Sequence, residues 1–162
     1  MSIVSMPPRQ RILTVCLGNS CRSPLAAAVL TQRGGAAVDL RSAGLLADKW
    51  VGRPADPAMI AIAATHGYDL TAHRACAVTA ELLHWADIVL AMDRTNLTAL
   101  RERCDARALP KLSLYLGDDD VPAPFGHPYT VFEKCLTLIE SGADHHLQAR
   151  ADTRRSATEN TR

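Results

Sequence analysis

The chain has 162 residues, of which 48% are hydrophobic, 22% are charged and 4% are aromatic. Its 18 basic and 17 acidic residues leave a formal net charge of +1, which argues against nucleic acid or a membrane surface as a partner, because both favour a strong basic excess. We therefore expect one soluble cytoplasmic domain with no membrane span, since no apolar run approaches about 20 residues and the N-terminus lacks the apolar segment of a secretory signal.

The start of the chain predicts the first unit of an α/β fold. Arg11 to Cys16 form a short apolar run that is typical of a buried parallel strand. A polar loop over 17–22 follows and leads into a helix. We expect Ser23 to cap this helix and Pro24 to take its first position.

Strands and helices continue to alternate along the rest of the chain. The further predicted elements are a strand at 36–40, a helix that begins at Asp56 and Pro57, a strand at 87–92, a helix at 96–103, an edge strand at 109–114 that tolerates Pro110, and a last helix whose buried stripe runs from Val131 to Ile139. This order predicts an α/β fold with a parallel sheet and helices on both faces. Ligands of such sheets bind at the carboxyl ends of the strands.

The domain organisation is predicted to be simple. Residues 1–10 are expected to form a flexible extension, and residues 11–148 a single domain. Residues 149–162 carry charged side chains but no large apolar one, so we expect a disordered tail.

The cysteines do not indicate a disulfide scaffold or a zinc site. Their number is odd, and none form a CxxC pair: they are Cys16, Cys21, Cys76, Cys104 and Cys135. None of the six histidines falls at ligand spacing beside a cysteine pair. We therefore expect reduced thiols, no metal and a reducing compartment.

The loop from Cys16 to Arg22 places a thiol at a strand end and a guanidinium at a helix start. Backbone N–H groups at a helix N-terminus converge on an anion, and the helix dipole adds positive charge. Arg22 can hold two phosphate oxygens in a bidentate fork. The same positive surroundings stabilise a thiolate at Cys16. A thiolate facing a bound phosphoryl group is a nucleophile in place.

These residues carry a resemblance to a known family. The segment VCLGNSCRSP, from Val15 to Pro24, resembles the phosphate-binding loop of bacterial-type low-molecular-weight protein-tyrosine phosphatases. Further similar segments lie at 41–45, 50–57, 73–75 and 91–97. The resemblance implies a flavodoxin-like, four-stranded parallel sheet and a hydrolase that forms a cysteinyl-phosphate intermediate, with no cofactor and no metal.

The resemblance also implies roles for residues of the loop. Cys16 attacks phosphotyrosine in line, Arg22 holds the equatorial oxygens, and Ser23 donates a hydrogen bond to the Cys16 thiolate. The implied phosphate-binding residues are Leu17, Gly18, Asn19, Ser20, Cys21 and Arg22.

Residues outside the loop complete the implied site. Asn19, in a left-handed conformation that asparagine tolerates, is expected to brace the loop together with Ser42 and His73. Trp50 and Phe125 are expected to wall the cleft and to select the deep phosphotyrosine over the shorter phosphoserine.

The sequence departs from the family where the general acid is expected. The family's late Asp-Pro pair is here Ala123 and Pro124. Three explanations remain open: an engineered acid-less variant, a natural member with weak activity, or substitution by Asp120, which would need a rearranged loop. A smaller departure is Cys76, where the family tends to have an arginine.

Partners and alternative functions follow from the same loop. The expected partner is a phosphotyrosine protein, with a bacterial tyrosine kinase of exopolysaccharide export as one candidate, and the chain is expected to be a monomer or weak dimer. The resemblance also implies a redox-sensitive, reversible Cys16–Cys21 disulfide. Two other functions stay open: a thiol-dependent arsenate reductase, and a non-catalytic phosphotyrosine-binding module.

Overall fold

A four-stranded parallel sheet forms the centre of the molecule, in a computed structural model that describes residues 8–161. The strands lie in the order β2-β1-β3-β4. Their bounds are Gln10–Cys16 for β1, Val38–Gly44 for β2, Ile88–Ala91 for β3 and Leu112–Leu114 for β4. This order and the parallel pairing confirm the predicted flavodoxin-like α/β class.

Residues 8–161 contain six α-helices, which connect the strands and cover the sheet. They are α1 (Arg22–Gly34), α2 (Ala47–Trp50), α3 (Pro57–Thr65), α4 (Ala80–Trp85), α5 (Arg94–Arg103) and α6 (Tyr129–Glu159). Short 3₁₀ turns at Gly35–Ala37 and Leu109–Lys111 precede β2 and β4. Within residues 8–161, no helix is both long and apolar enough to cross a membrane.

The sheet separates two apolar clusters because alternate side chains of β1 face opposite sides. Ile12 packs into the cluster that also contains residues of α1, α3 and α6. Leu13 and Val15 pack into the other, with residues of α4 and α5. All three side chains are buried, so β1 is covered on both faces.

The strand order reverses beside β1, and this brings the loop after β1 to the expected ligand-binding position. The chain passes from β1 to β2 on one side and then crosses to β3 on the other. Cys16 therefore lies at the carboxyl end of a central strand, at the switch point of the sheet. Gly44, at the end of β2, closely approaches the loop, since a Cβ there would lie 3.0 Å from the Cβ of Asn19.

The start of α1 differs from the prediction. The helix begins at Arg22, and Cys21 is its N-cap residue, with no side-chain capping bond. Ser23 lies inside the first turn, and its hydroxyl contacts Cys16 and Asn19 instead of capping the helix. Pro24 is consequently the third helical residue rather than the first.

Two strands are displaced from their predicted bounds. β2 extends to Gly44 because residues 38–44 pair with all seven residues of β1, although residues 41–44 are not an apolar run. The predicted edge strand begins late, because Pro110 lies in a 3₁₀ turn and only Leu112–Leu114 pair with β3. It is an edge strand, as predicted.

The last helix runs further than the sequence predicts. α6 continues to Glu159, through the segment for which we expected disorder. Its buried stripe includes Phe132, Cys135 and Ile139, whereas residues 151–159 are exposed. The described part of the predicted N-terminal extension is 8–10, of which Gln10 already belongs to β1. Residues 1–7 and 162 lie outside the described residues.

Candidate active site

The loop between β1 and α1 presents a row of backbone N–H groups. Neighbouring segments use the carbonyl groups of this loop: Leu45 N–H donates to the carbonyl of Cys16 at 3.1 Å, and Asp56 N–H donates to that of Ser20 at 2.9 Å. The N–H groups of residues 17–21, by contrast, donate to no other group in residues 8–161. Unpartnered amides at a helix N-terminus form a site for an anion.

Asn19 ties this loop to two neighbouring segments. It is fully buried, and its φ of 54° is the left-handed conformation that the sequence predicts. Its side-chain amide donates to the hydroxyl of Ser42 at 3.0 Å, and its Oδ1 accepts from the N–H of Cys76 at 3.0 Å. Nε2 of His73 lies 2.7 Å from the backbone carbonyl oxygen of Asn19. Asn19, Ser42 and His73 are therefore brought together.

The surroundings of His73 favour its neutral form. Burial of the ring lowers the pKa of His73, and the nearby Arg74 lowers it further, against the hydrogen bond to Asn19. A neutral imidazole can donate from Nε2 to the carbonyl of Asn19. The brace therefore needs no charge on the histidine.

The hydroxyl of Ser23 lies 3.0 Å from the sulfur of Cys16. The same oxygen accepts a hydrogen bond from the side-chain NH₂ of Asn19 at 2.8 Å. Because an amide NH₂ only donates, the hydroxyl hydrogen of Ser23 is left to point at the sulfur. The Cys16 sulfur is therefore placed to accept this hydrogen bond.

Arg22 is held in place by contacts that local sequence patterns do not predict. Its Nη1 donates to Oδ2 of Asp93 at 2.6 Å and to the carbonyl oxygen of Val121 at 3.0 Å. The Arg22 side chain is 5% exposed and that of Asp93 is 20% exposed. Asp93 follows β3 at the carboxyl edge of the sheet, and the gathering of strand ends at that edge is the signal that could have identified it.

A cavity of about 110 Å³ opens above the loop. The rings of Trp50 and Phe125 are 5.9 Å apart in an edge-to-face arrangement on its wall. The guanidinium of Arg53 lies 5.1 Å from the centre of the Trp50 ring. The cavity is lined by Cys16, Leu17, Gly18, Ser20, Cys21, Arg22, Trp50, Ala123, Pro124 and Phe125. The predicted loop and the two predicted aromatic walls thus meet at one cavity.

No carboxylate or imidazole lies among the residues that line this cavity. Ala123 occupies the wall position at which the family resemblance places the general acid. Asp120 lies outside the lining, where its Oδ1 accepts a hydrogen bond from the N–H of Arg94, the first residue of α5, at 3.0 Å. In this arrangement, Asp120 is held away from the cavity.

The other cysteines have different surroundings. Burial raises the pKa of Cys21 and that of Cys135 to about 12 each. Burial also raises the pKa of Cys76, whose sulfur donates to the carbonyl of Ser42, and that of Cys104 at the end of α5. All five thiols are unpaired. In the part of the chain that the structure covers, no three potential ligands cluster around a metal position.

Comparison with known proteins agrees with this geometry. The sequence profile of the family described as low molecular weight phosphotyrosine protein phosphatase matches residues 11–156. A probable low molecular weight protein-tyrosine-phosphatase, EpsP, of Ralstonia nicotianae is 37% identical over 134 residues, which are 82% of this chain and 90% of that protein. The phosphatase Wzb of Salmonella typhi is 34% identical over 144 residues, covering 86% and 93% of the two chains.

Solved structures share the fold. Vibrio vulnificus Wzb in complex with benzylphosphonate superposes with a TM-score of 0.82 at 28% identity, covering 88% of this chain and 99% of that one. The YwlE arginine phosphatase of Geobacillus stearothermophilus gives a TM-score of 0.84 at 30% identity, with coverages of 91% and 96%. Because the family profile spans nearly the whole fold and relatives above 30% identity cover most of it, this chain belongs to the low-molecular-weight protein-tyrosine phosphatases and is a hydrolase of that family.

Proposed function

We propose that the protein hydrolyses phosphotyrosine in two steps through Cys16. In the first step, the thiolate forms a bond to phosphorus while the bond from phosphorus to the phenolic oxygen breaks, and the tyrosine leaves with a proton from solvent. In the second step, water attacks phosphorus, the S–P bond breaks, and phosphate is released as the thiolate is restored. The observation that carries this proposal is the hydroxyl of Ser23 at 3.0 Å from the Cys16 sulfur, at the start of a loop whose N–H groups are unpartnered.

Charge is compensated by groups that are already in position. The N–H groups of 17–21 and the guanidinium of Arg22 would hold the three equatorial oxygens of the phosphoryl group. Arg22 uses Nη1 for Asp93 and Val121, which leaves its other N–H groups for the substrate. Preorganised donors of this kind supply most of the catalysis that phosphoryl transfer requires.

The cavity wall supports an aromatic substrate. Trp50 and Phe125 offer ring faces and edges between which a phenyl ring can lie. Phe125 is 62% exposed, so it has apolar surface to bury against a substrate. A short phosphoserine would leave these rings without contact, which favours phosphotyrosine.

Turnover is proposed to be slow because the wall carries Ala123 in place of an acid. General acid catalysis contributes about 10²–10⁴ in rate, and no residue lining the cavity can supply it at neutral pH. Asp120 would have to leave Arg94 to act as a substitute. We therefore favour a natural, weakly active member of the family over substitution by Asp120.

The arsenate reductase alternative finds less support in the structure. A thiol-dependent arsenate reductase needs further cysteines that exchange disulfides with the first one, and such cysteines must ionise easily. Burial instead raises the pKa of Cys21 and Cys135. Cys76 and Cys104 lie in two different segments, and burial raises the pKa of each. The non-catalytic binding module would share the anion site but release no phosphate.

One set of assays separates these functions. The wild type and Cys16→Ser are given p-nitrophenyl phosphate, a phosphotyrosine peptide and a phosphoarginine peptide, and a thioredoxin-coupled arsenate assay runs in parallel. We expect phosphate release from the first two substrates, abolished by Cys16→Ser. Release from phosphoarginine alone, arsenate reduction, or peptide binding without any release would each reject the proposal in favour of another function.

The physiological substrate is proposed to be a phosphorylated protein, with a bacterial tyrosine kinase of exopolysaccharide export as the first candidate on the family resemblance. The test is dephosphorylation of such an autophosphorylated kinase by the wild type but not by Cys16→Ser. Persistence of the phosphotyrosine signal with active enzyme would exclude it.

Cys16 and Cys21 are proposed to form a reversible disulfide on oxidation. Peroxide would oxidise the Cys16 thiolate to a sulfenic acid, and attack by Cys21 would release water and form the S–S bond. Because burial raises the pKa of Cys21, this second step should be slow at neutral pH and faster in alkali. Peptide mapping after peroxide treatment that found both thiols free, or Cys16 sulfonated, would reject the disulfide.

A further inference from the structure

A groove of about 750 Å³ lies at the amino end of the sheet, far from the cavity above Cys16. We call it the basic groove, and its charged lining residues are Arg9, Arg11, Arg150, Arg154, Asp39 and Asp87. A second hollow of about 410 Å³ lies on the other side of Arg150 and Arg154 and adds Arg33 and Arg155. The two arginines of α6 therefore form a ridge between two basic hollows.

Several of these arginines have no internal counter-charge. Arg11 pairs with Asp87, and Arg33 pairs with Glu140. Over residues 8–161, Arg9, Arg150 and Arg154 form no ion pair. Like charges one helical turn apart destabilise a helix slightly. Partial burial and the charge of Arg154 both lower the pKa of Arg150. This crowding would be relieved by an anionic ligand.

The position of the groove allows it to act together with the active site. Gln10 and Arg11 begin β1, and Cys16 ends it. Six residue steps along a parallel strand cover roughly 20 Å. A ligand in the groove would not block the cavity above Cys16. Because β1 is covered on both faces, a polypeptide that reaches both sites must pass around the outside of the domain, which takes at least about 15 extended residues.

We propose that the basic groove binds an acidic segment of the protein substrate, at a distance from its phosphotyrosine. This inference rests on the proposed phosphatase function, which makes a phosphorylated polypeptide the molecule presented to the enzyme. Asp39 and Asp87 interrupt the positive surface, so a continuous phosphate backbone would meet like charge there. A polypeptide can place carboxylates at intervals and neutral residues between them. Holding the substrate at two sites raises the effective concentration of its phosphotyrosine at Cys16.

The first test measures binding and needs no catalysis. A fluorescent, unphosphorylated acidic peptide is titrated with the wild type and with Arg150→Gln/Arg154→Gln, in low and in moderate salt. The matched control is Arg101→Gln/Arg107→Gln, which removes the same charge from exposed arginines elsewhere. We expect the groove variant alone to weaken binding about fivefold, and salt to abolish the difference. Arg9 also lines the groove but lies outside any helix, so Arg9→Gln repeats the binding test without changing α6.

The second test links the groove to turnover. A phosphotyrosine peptide with an acidic segment at least about 15 residues away should lose about fivefold in kcat/KM in the groove variant, through KM. A peptide with a neutral segment, and p-nitrophenyl phosphate, should be unaffected. Equal losses for acidic and neutral peptides, equal losses in the control variant, or tighter binding of a single-stranded oligonucleotide than of the acidic peptide would each overturn the proposal. An inactive wild type that still binds the acidic peptide would reject the phosphatase function and leave the groove assigned.

Discussion

The guanidinium of Arg22 and the carboxylate of Asp93 are 2.6 Å apart, although the two residues are 71 positions apart in the chain. Oδ1 of the same carboxylate accepts the N–H of Asn96 at 2.7 Å and so caps α5. One side chain therefore positions the arginine that we propose to bind phosphate and caps the helix that follows the neighbouring strand β3. Arg22 is buried and Asp93 is partly exposed, so the orientation of the buried guanidinium depends on Asp93.

The first prediction concerns Asp93. Asp93→Asn keeps the size of the side chain but removes the charge, so we expect Arg22 to lose its orientation and kcat/KM for p-nitrophenyl phosphate to fall about 10- to 100-fold. Loss of a hydrogen bond to a charged group costs about 2 kcal/mol, which lowers Tm by roughly 5 °C. Asp105→Asn is the control, since Asp105 also accepts backbone bonds but pairs with His84 on the surface. Equal kinetic loss in both variants would contradict the assignment.

The second prediction compares two residues of the loop brace. Asn19→Ala removes three side-chain hydrogen bonds and places alanine in a left-handed conformation. We expect a loss of about 2–4 kcal/mol in the free energy of unfolding and a large loss of activity. Ser42→Ala removes one of these bonds and should cost about 1 kcal/mol or less. Thermal unfolding and phosphatase assays of both variants test this order, and a reversed order would refute it.

The third prediction restores the acid. Ala123→Asp should raise the turnover of a phosphotyrosine peptide by about 10²-fold or more, because the leaving phenolate then receives a proton within the cavity. The increase should be smaller with p-nitrophenyl phosphate, whose leaving group is a much weaker base. Ala123→Asn supplies the same shape without the acid and should give no increase. An equal increase in turnover for Ala123→Asp and Ala123→Asn would show that proton donation does not limit turnover. So would an equal increase for Ala123→Asp with the two substrates.

The fourth prediction concerns stability below neutral pH. Burial lowers the pKa of both His73 and His146 in the folded chain, whereas a histidine in the unfolded chain titrates at about 6.5. Between the lowered values and about 6.5, the unfolded chain binds more protons, so stability falls as the pH falls through this window. Above it, these histidines contribute no pH dependence. Urea unfolding from pH 7.5 to 5 should show a smaller decline in His73→Gln than in the wild type, and an equal decline would contradict a lowered pKa of His73 in the folded chain.

The strand, loop and helix around Cys16 and Arg22 are the part of the candidate site whose arrangement the sequence predicts best. A buried strand, a polar loop and a helix are consecutive in the chain, so local patterns are sufficient to place Cys16 and Arg22 at the anion site. Asp93 and the carbonyl of Val121 are 71 and 99 positions from Arg22. Local patterns cannot pair residues so far apart, and only the strand order brings them together.

Two differences between expectation and structure have local causes. Ser23 fits the pattern of a helix cap, yet its hydroxyl is used by Cys16 and Asn19, so tertiary contacts override the capping preference. Residues 149–159 lack the apolar residues that packing requires, but they contain strong helix formers and follow a helix that is already nucleated. Extension of α6 therefore needs no buried face.

The central claim is that Cys16 carries the phosphoryl group during turnover. The most direct test is rapid denaturing quench, in mild alkali, of the enzyme with p-nitrophenyl phosphate, whose leaving group needs no proton and so does not delay formation of the adduct. Mass spectrometry of the peptide that contains Cys16 follows. We predict a mass increase of one phosphoryl group on Cys16 that appears before steady-state phosphate release and is absent from Cys16→Ser. Turnover with no adduct on Cys16, or an adduct that persists in the serine variant on another residue, would contradict the mechanism.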